Sequence, residues 1–121
     1  MPQVRITSGV VYHAASGTNK SMTPRPDKDL EGPCRGLSCH VHPEQAVAAG
    51  EKPRKHRVFG IDVALLNELQ AFQADDGHVS LRPRSDELLQ EWADRREDEE
   101  HPHRLTNEVQ DAIIDRQEIV K

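Results

Sequence analysis

The densest group of residues that could do chemistry is Cys34, Cys39, His40 and His42, four side chains within nine residues. Zinc binds four ligands in a tetrahedron, and cysteine thiolates and neutral imidazoles are usual protein ligands for it. Structural zinc sites normally divide their ligands into two separated pairs, which these four residues do not do. If residues 38–42 form a strand, His40 and His42 also face away from Cys39. A free buried thiol with separate surface histidines is therefore favoured, with a zinc site and a Cys34–Cys39 disulfide as alternatives.

A nucleophile beside a base is the second chemical possibility. Covalent catalysis also needs a third group that orients the base. Ser38 or Cys39 could act as the nucleophile, with His40, His42 or His78 as the base. No nucleophile elbow accompanies them, and the glycine patterns of phosphate loops and dinucleotide-binding folds are absent. With only four aromatic residues in the chain, an RNA-binding sheet that stacks bases is also a poor match.

Three short apolar runs predict the strands that would position these residues: residues 10–16, 36–42 and 57–62. Each run is bounded by glycine, proline or polar residues. We expect them to lie at the centre of a small sheet, so that any chemistry sits at the turns leaving it. Val4–Ile6 and His78–Arg82 are predicted as further strands.

Four helices are predicted from apolar spacing and capping residues. Pro43 suits the first position of a short helix that ends at Gly50. The other three are a helix capped by Asp62 with its apolar face over residues 65–72, a helix capped by Ser85 over residues 86–93, and a helix capped by Thr106 that reaches Val120. The order of elements predicts an α+β fold with short helices, two of them C-terminal.

The 121 residues are expected to form a single domain, residues 1–121. Residues 17–35 are a long loop rich in proline and glycine, which is the first place to look for a ligand. The basic stretch 52–57 leads into a strand. Residues 94–104 are nearly all charged residues or histidine, which predicts a solvated linker between the two C-terminal helices.

Charge is unevenly distributed along the chain, whose formal net charge is −5. Residues 1–60 hold nine Lys or Arg against five Asp or Glu, and residues 61–121 hold seven against sixteen. A basic half can face a phosphate-bearing ligand, and an acidic half can bind a basic protein partner. The simpler interpretation is that each half solvates its own surface.

The sequence shows neither a secretory signal nor the roughly 20 consecutive apolar residues that a membrane span needs. A cytoplasmic location with no membrane association is therefore expected. Export as a toxin module by a route without a cleaved leader stays open.

One part of the chain resembles a known superfamily. Val11-Tyr12-His13-Ala14-Ala15-Ser16 resembles the opening strand and turn, hydrophobic-Tyr-His-Gly-Thr-Ser, of ADP-ribosyltransferase-like domains, which include RNA 2′-phosphotransferases. Gly36-Leu37-Ser38 resembles the start of the superfamily's second motif strand. RNA 2′-phosphotransferases have a His-Val-His segment that is followed by a helix and by a hydrophobic strand ending in Asp. A similar pattern is formed here by His40-Val41-His42, followed by Ala46, Gly50, Val58 and Asp62. The likeness covers about residues 10–66.

The resemblance implies a small split sheet, mixed or antiparallel, of the ADP-ribosyltransferase-like type. It also implies an enzyme that uses NAD or another nucleotide to modify a protein or nucleic-acid acceptor, as toxin-type effectors do. By position in the motifs, the cofactor-binding residues would be Tyr12, Ser16, Lys20, Arg25 and Ser38. Of these, Ser16 would contact a ribose together with His13, and Arg25 with Lys20 would bind the pyrophosphate, because a guanidinium binds phosphate oxygens bidentately.

The implied catalytic residues are His13, His78 and Ser80, the last two at the start of the last predicted strand. Ala14 and Ala15 depart from the family's Gly-Thr. Two other functions stay open. One is a non-enzymatic interaction protein that uses its acidic C-terminal helices, and the other is a zinc-stabilised binding module.

Overall fold

One antiparallel sheet of seven strands is the frame of the structure, a computed structural model that describes residues 3–49 and 57–118. In chain order the strands are β1 (Val4–Ile6), β2 (Val10–Ala15), β3 (Leu37–His40), β4 (Arg57–Asp62), β5 (Gln70–Gln73), β6 (His78–Arg82) and β7 (Ile113–Glu118). Their order across the sheet is β1-β5-β6-β3-β2-β4-β7. The described helices are α1 (Pro43–Ala49), α2 (Asp86–Asp94) and α3 (Arg104–Asp111). The predicted α+β class is confirmed, and the three apolar runs, now β2, β3 and β4, are neighbours in the sheet.

The sheet opens between β2 and β3. β2 and β4 pair along the whole of β2, from Val10 opposite Asp62 to Ala15 opposite Arg57. β2 and β3, by contrast, share one pairing, Tyr12 opposite His40. Beyond that position the end of β2 and the start of β3 are no longer paired with each other. Backbone groups at such an opening need partners other than a strand ladder, so side chains and loops must complete the structure there.

Apolar side chains of the strands alternate onto one face and pack against α2 and α3. The buried cluster includes Leu37 and Cys39 of β3, Val79 of β6, Trp92 of α2 and Val109 of α3. Burial raises the pKa of the Cys39 thiol far above its ordinary value, so this cysteine is an uncharged core residue. α1 lies against β2, β3 and β4.

Ion pairs between described residues join the basic first half of the chain to the acidic second half: Lys20 Nζ lies 2.9 Å from Glu97 Oε2, and Arg35 Nε lies 2.9 Å from Asp86 Oδ1. Both pairs are largely exposed, so each contributes little to stability. No helix in the described part of the chain is long and apolar enough to cross a membrane.

The helix predicted after Asp62 is wrong. Asp62 does act as a cap, because its side chain accepts a hydrogen bond from Ala64 N, but the element is a single 3-10 turn over Val63–Leu65. The chain then extends into β5. The carboxylate of Glu108 on α3 accepts hydrogen bonds from the backbone N–H groups of Glu68 and Leu69 at 2.9 and 2.8 Å. In a helix these two backbone N–H groups would have donated to carbonyls four residues earlier, but here they donate to a side chain that is distant in sequence.

The last predicted helix is wrong in its start and its end. His103, not Thr106, is the N-cap of α3, and its side chain accepts from Leu105 N. The helix ends at Asp111, and the chain becomes β7, which pairs with β4. Pairing with the edge of β4 therefore decides the structure of residues 113–118, although the spacing of their apolar residues predicted a helix. The predicted positions Gly50, Lys52 to His56 and Val120 lie outside the described residues.

A chain of hydroxyl contacts ties α2 and α3 to the loop after β2. Trp92 Nε1 donates to Thr106 Oγ1 at 2.8 Å, and Thr106 Oγ1 lies 2.5 Å from Thr23 Oγ1. Thr23 Oγ1 in turn donates to the backbone carbonyl of Asn19 at 2.8 Å. Thr106 and Trp92 are fully buried, and Thr23 is 5% exposed. The loop is thus attached to the core through side chains.

We expect Thr106→Val to lower the free energy of unfolding by about 1–3 kcal/mol, because the valine leaves the buried Trp92 N–H without an acceptor. Urea denaturation monitored by Trp92 fluorescence measures this loss. Thr7→Val, at an exposed position between β1 and β2, is the matched control and should change stability by no more than about 0.5 kcal/mol. Equal urea denaturation midpoints for the two variants would contradict the assigned role of Thr106 as the acceptor of the buried Trp92 N–H.

Candidate functional site

A cleft of about 390 Å³ lies where the sheet opens. This volume falls within the range of about 300–1,000 Å³ that is typical of small-molecule sites. The end of β2, the start of β3, the loop between them and the segment after α2 all contribute to its lining. The lining residues that can form ionic or strong hydrogen bonds include His13, Ser16, Arg25, Asp29, Ser38 and Arg96.

His13 bridges the opening. Its Nδ1 lies 2.6 Å from the Ser38 carbonyl oxygen, and its Nε2 lies 2.8 Å from the Ser21 carbonyl oxygen. Burial lowers the pKa of His13 below its ordinary value, although the two carbonyls and Asp29 act in the opposite direction. A neutral imidazole carries one N–H and can donate to only one of the two carbonyls. A ligand hydroxyl, which both donates and accepts, would match whichever nitrogen is left without a proper partner.

Arg25 and Asp29 form the charged wall of the cleft. Asp29 Oδ2 accepts from the backbone N–H of Arg25 at 2.7 Å and lies 3.4 Å from Arg25 Nε. The carboxylate therefore fixes both the backbone and one edge of the guanidinium. Lys20, predicted to help Arg25, instead pairs with Glu97 at 2.9 Å. Its side chain is outside the set that lines the cleft.

Ser38 connects the cleft to His78. Ser38 Oγ lies 2.8 Å from His78 Nε2, and the rings of His40 and His78 meet edge to face with centroids 5.2 Å apart. Burial lowers the pKa of His78, so the ring is neutral near pH 7 and Nε2 can accept the serine proton. His78 Nδ1 is buried with no hydrogen-bond partner in the described part of the chain. The pair thus lacks the orienting group of a catalytic triad, and it fits a positioned hydroxyl better than a nucleophile.

Lys20 and His78 are outside the cleft lining, and two further residues assigned to the site by resemblance, Ser80 and Tyr12, also stand apart from the cleft. Ser80 is fully buried, and its hydroxyl has no hydrogen-bond partner among the described residues. Tyr12 points away from His13 because successive strand residues alternate faces. Its ring covers Gly60, where an added Cβ would lie 3.4 Å from Tyr12 Cε1. Neither residue belongs to the cleft lining.

Arg96 is a cleft residue that the sequence reasoning missed. It lies in the stretch 94–104, most of which is exposed as expected, although His103 within it is buried. The apolar stripe of α2, formed by Leu89, Trp92 and Ala93, continues by helical spacing to position 96. Arg96 N donates to the Ala93 carbonyl at 3.1 Å, which extends the turn. That spacing is the signal by which the inward direction of Arg96 could have been found.

The metal candidates do not converge. Cys34 is exposed and Cys39 is buried in the core, whereas His40 lines the cleft and His42 is exposed. Within residues 3–49 and 57–118, no three His, Cys, Asp or Glu side chains form a group that could hold a metal ion. The polar side-chain groups in the cleft lining are imidazole, hydroxyl, guanidinium and carboxylate groups.

Acidification should destabilise the protein through His13. Its folded-state pKa lies below the ordinary 6.5, so the unfolded chain binds the proton first and stability is lost as the pH falls from 6.5 towards the lowered value. We expect the free energy of unfolding, measured by urea denaturation at several pH values, to fall in this range. His13→Gln should make that fall smaller. His42→Gln, at an exposed position, is the control, and an equal pH dependence in both variants would contradict the prediction.

The cleft is therefore a cavity between two separating strands, with one imidazole across its opening and two guanidinium groups, beside apolar side chains, in its lining. Comparisons with protein-family models, with curated proteins and with solved structures found no match. The geometry of the cleft is consequently the basis for any functional proposal.

Proposed function

We propose that the cleft binds a nucleotide, with NAD as the first candidate, and that the chain is an ADP-ribosyltransferase-like enzyme. The observation that carries the proposal is that His13, Ser16, Arg25 and Ser38 line one cleft at the opening of the sheet. These residues come from separate segments, and the superfamily resemblance assigns each of them to the nucleotide site. A chance likeness of short motifs would not require them to face the same cavity.

The lining groups match the parts of a nucleotide. Ribose hydroxyls donate and accept hydrogen bonds, so they suit the neutral imidazole of His13 and the hydroxyls of Ser16 and Ser38. Phosphate oxygens suit the guanidinium of Arg25, which offers parallel N–H groups. Asp29 holds the Nε edge of Arg25, which leaves the Nη edge to face a ligand. Ligand binding would replace the His13 contact at whichever ring nitrogen carries no proton.

In the proposed reaction, the bond between ribose and nicotinamide breaks, and its electron pair leaves with the nicotinamide. The ribose then carries positive charge with oxocarbenium character. The nucleophile of a protein or nucleic-acid acceptor attacks the same carbon and releases its proton to solvent. Asp29 is the one carboxylate among the described lining residues, so it is the group that can stabilise this charge. Positioning and electrostatics would supply most of the rate gain.

The proposal predicts that NAD raises the melting temperature of the protein and that nicotinamide is released during incubation with an acceptor mixture. Arg25→Ala should reduce the release by about a hundredfold or more, because the phosphates lose the guanidinium that positions them. His13→Ala should reduce it similarly by removing a ribose contact. Chromatographic measurement of nicotinamide gives both rates.

Arg5→Ala is the matched control, since Arg5 is exposed on the edge strand β1, and its rate should equal that of the unaltered protein. Far-UV circular dichroism separates lost activity from lost folding. The proposal fails if NAD, ADP-ribose and 2′-phosphorylated RNA all leave the melting temperature unchanged and no nicotinamide is released.

A further inference from the structure

The cleft concentrates positive charge in a chain whose formal net charge is −5. Arg25 and Arg96 both line it, against the single described carboxylate of Asp29. Asp29 is already bound to Arg25 through that residue's backbone N–H and Nε. The charge of Arg96 is therefore not balanced inside the cleft.

Arg96 has no strong anionic partner among the described residues. Its Nη1 lies 3.9 Å from Glu97 Oε1, and the Glu97 side chain is 77% exposed whereas that of Arg96 is 23% exposed. A carboxylate that is mostly in water is screened and contributes little to such a pair. A partly buried guanidinium with unused N–H groups, in contrast, attracts an anion strongly when the anion enters from water.

Arg96 is also held in place before any ligand arrives. Its Nε is 3.4 Å from the carbonyl oxygen of Thr23, two residues before Arg25. The hydroxyl of Thr23 is fixed by Thr106 and by the Asn19 carbonyl. Both guanidinium groups are thus attached to the same short segment, residues 23–25. Because the side chain is already ordered, anion binding costs less conformational entropy.

We propose that Arg96 and Arg25 together form a two-guanidinium subsite that selects a diphosphate over a single phosphate. A diphosphate carries ionised oxygens on two phosphorus atoms, so each guanidinium can bind its own pair of oxygens. A monophosphate carries its ionised oxygens on one phosphorus atom, so it offers the two guanidinium groups fewer oxygens over a shorter span. The identification of the diphosphate as part of a nucleotide rests on the proposed function, whereas the anion selectivity itself does not.

The test compares inorganic pyrophosphate with inorganic phosphate, and ADP-ribose with adenosine monophosphate, by isothermal titration calorimetry at fixed ionic strength. The unaltered protein should bind each diphosphate at least about tenfold more tightly than its monophosphate partner, a difference of about 1.4 kcal/mol. Arg96→Ala should remove most of this preference. Arg96→Lys keeps the charge but loses the planar guanidinium that can bind two oxygens at once, so an intermediate preference is expected.

Arg95→Ala is the matched control. Arg95 neighbours Arg96 but contacts Asp98 and the His101 carbonyl, and it does not line the cleft. Its variant should keep the full diphosphate preference. Circular dichroism of each variant verifies folding, and if Arg96→Ala does not fold, the Lys variant decides the outcome.

The outcomes separate this inference from the proposed function. Diphosphate preference that depends on Arg96, without any nicotinamide release from NAD, supports the subsite and contradicts the enzyme. Nicotinamide release with a diphosphate preference that Arg96→Ala or Arg96→Lys leaves unchanged overturns the subsite alone. Equal affinity of the unaltered protein for pyrophosphate and phosphate, or no binding of either, also overturns the subsite.

Discussion

The single pairing between Tyr12 and His40 is the constraint on which the rest of the structure depends. Two strands that meet at one position and then separate leave backbone groups without a ladder, and such groups must find other partners. His13 provides one of these partners by spanning from β2 to the Ser38 carbonyl. The same ring lies 2.8 Å from the Ser21 carbonyl of the loop after β2, and a neutral imidazole can donate to only one of the two carbonyls at a time. The gap in the sheet is thus stabilised as a lined cavity, in which polar side chains stand beside apolar ones.

Burial affects the histidines in and beside the cleft. The pKa values of His13, His40 and His78 are all lowered, first of all because burial disfavours their charged forms. Near pH 7 these rings therefore act as neutral hydrogen-bonding groups. The charged groups among the described lining residues are two arginines and one aspartate. Attraction of an anion consequently depends on the arginines, while orientation of hydroxyls depends on the imidazoles.

Local sequence patterns predicted the elements whose partners are also local. Ser85 caps α2 through Leu88 N as its type and position indicated, and the apolar runs became the adjacent strands β2, β3 and β4. Residues 65–72 and 113–118 were misjudged because distant partners decide their structure. The Glu108 carboxylate accepts hydrogen bonds from the backbone just before β5, and β7 pairs with the edge of β4. Spacing of apolar residues carries no information about such partners.

The site was predictable to a similar degree and for a similar reason. Of the eight residues that the motif positions indicate, half line the cleft, namely His13, Ser16, Arg25 and Ser38, and half do not, namely Tyr12, Lys20, His78 and Ser80. The motif positions do not indicate Asp29 or Arg96. Asp29 lies in an irregular loop where no periodicity indicates direction, so its place in the cleft depends on its bonds to Arg25. Arg96 does continue the buried stripe of α2, but the charged residues around it conceal that spacing.

The buried hydroxyl chain explains why the second half of the chain matters for the cleft. The resemblance to a nucleotide-using superfamily ends near residue 66, yet Thr106 and Trp92 fix the loop residue Thr23, whose carbonyl anchors Arg96. The loop residues 23–25 therefore obtain their position from α2 and α3 as well as from the strands. Residues 10–66 alone would contain the motif side chains but neither the core that orders their loop nor the second guanidinium. The cleft is for that reason a product of the whole fold, and substitutions in the helices should alter the arrangement of the cleft residues even where they do not line it.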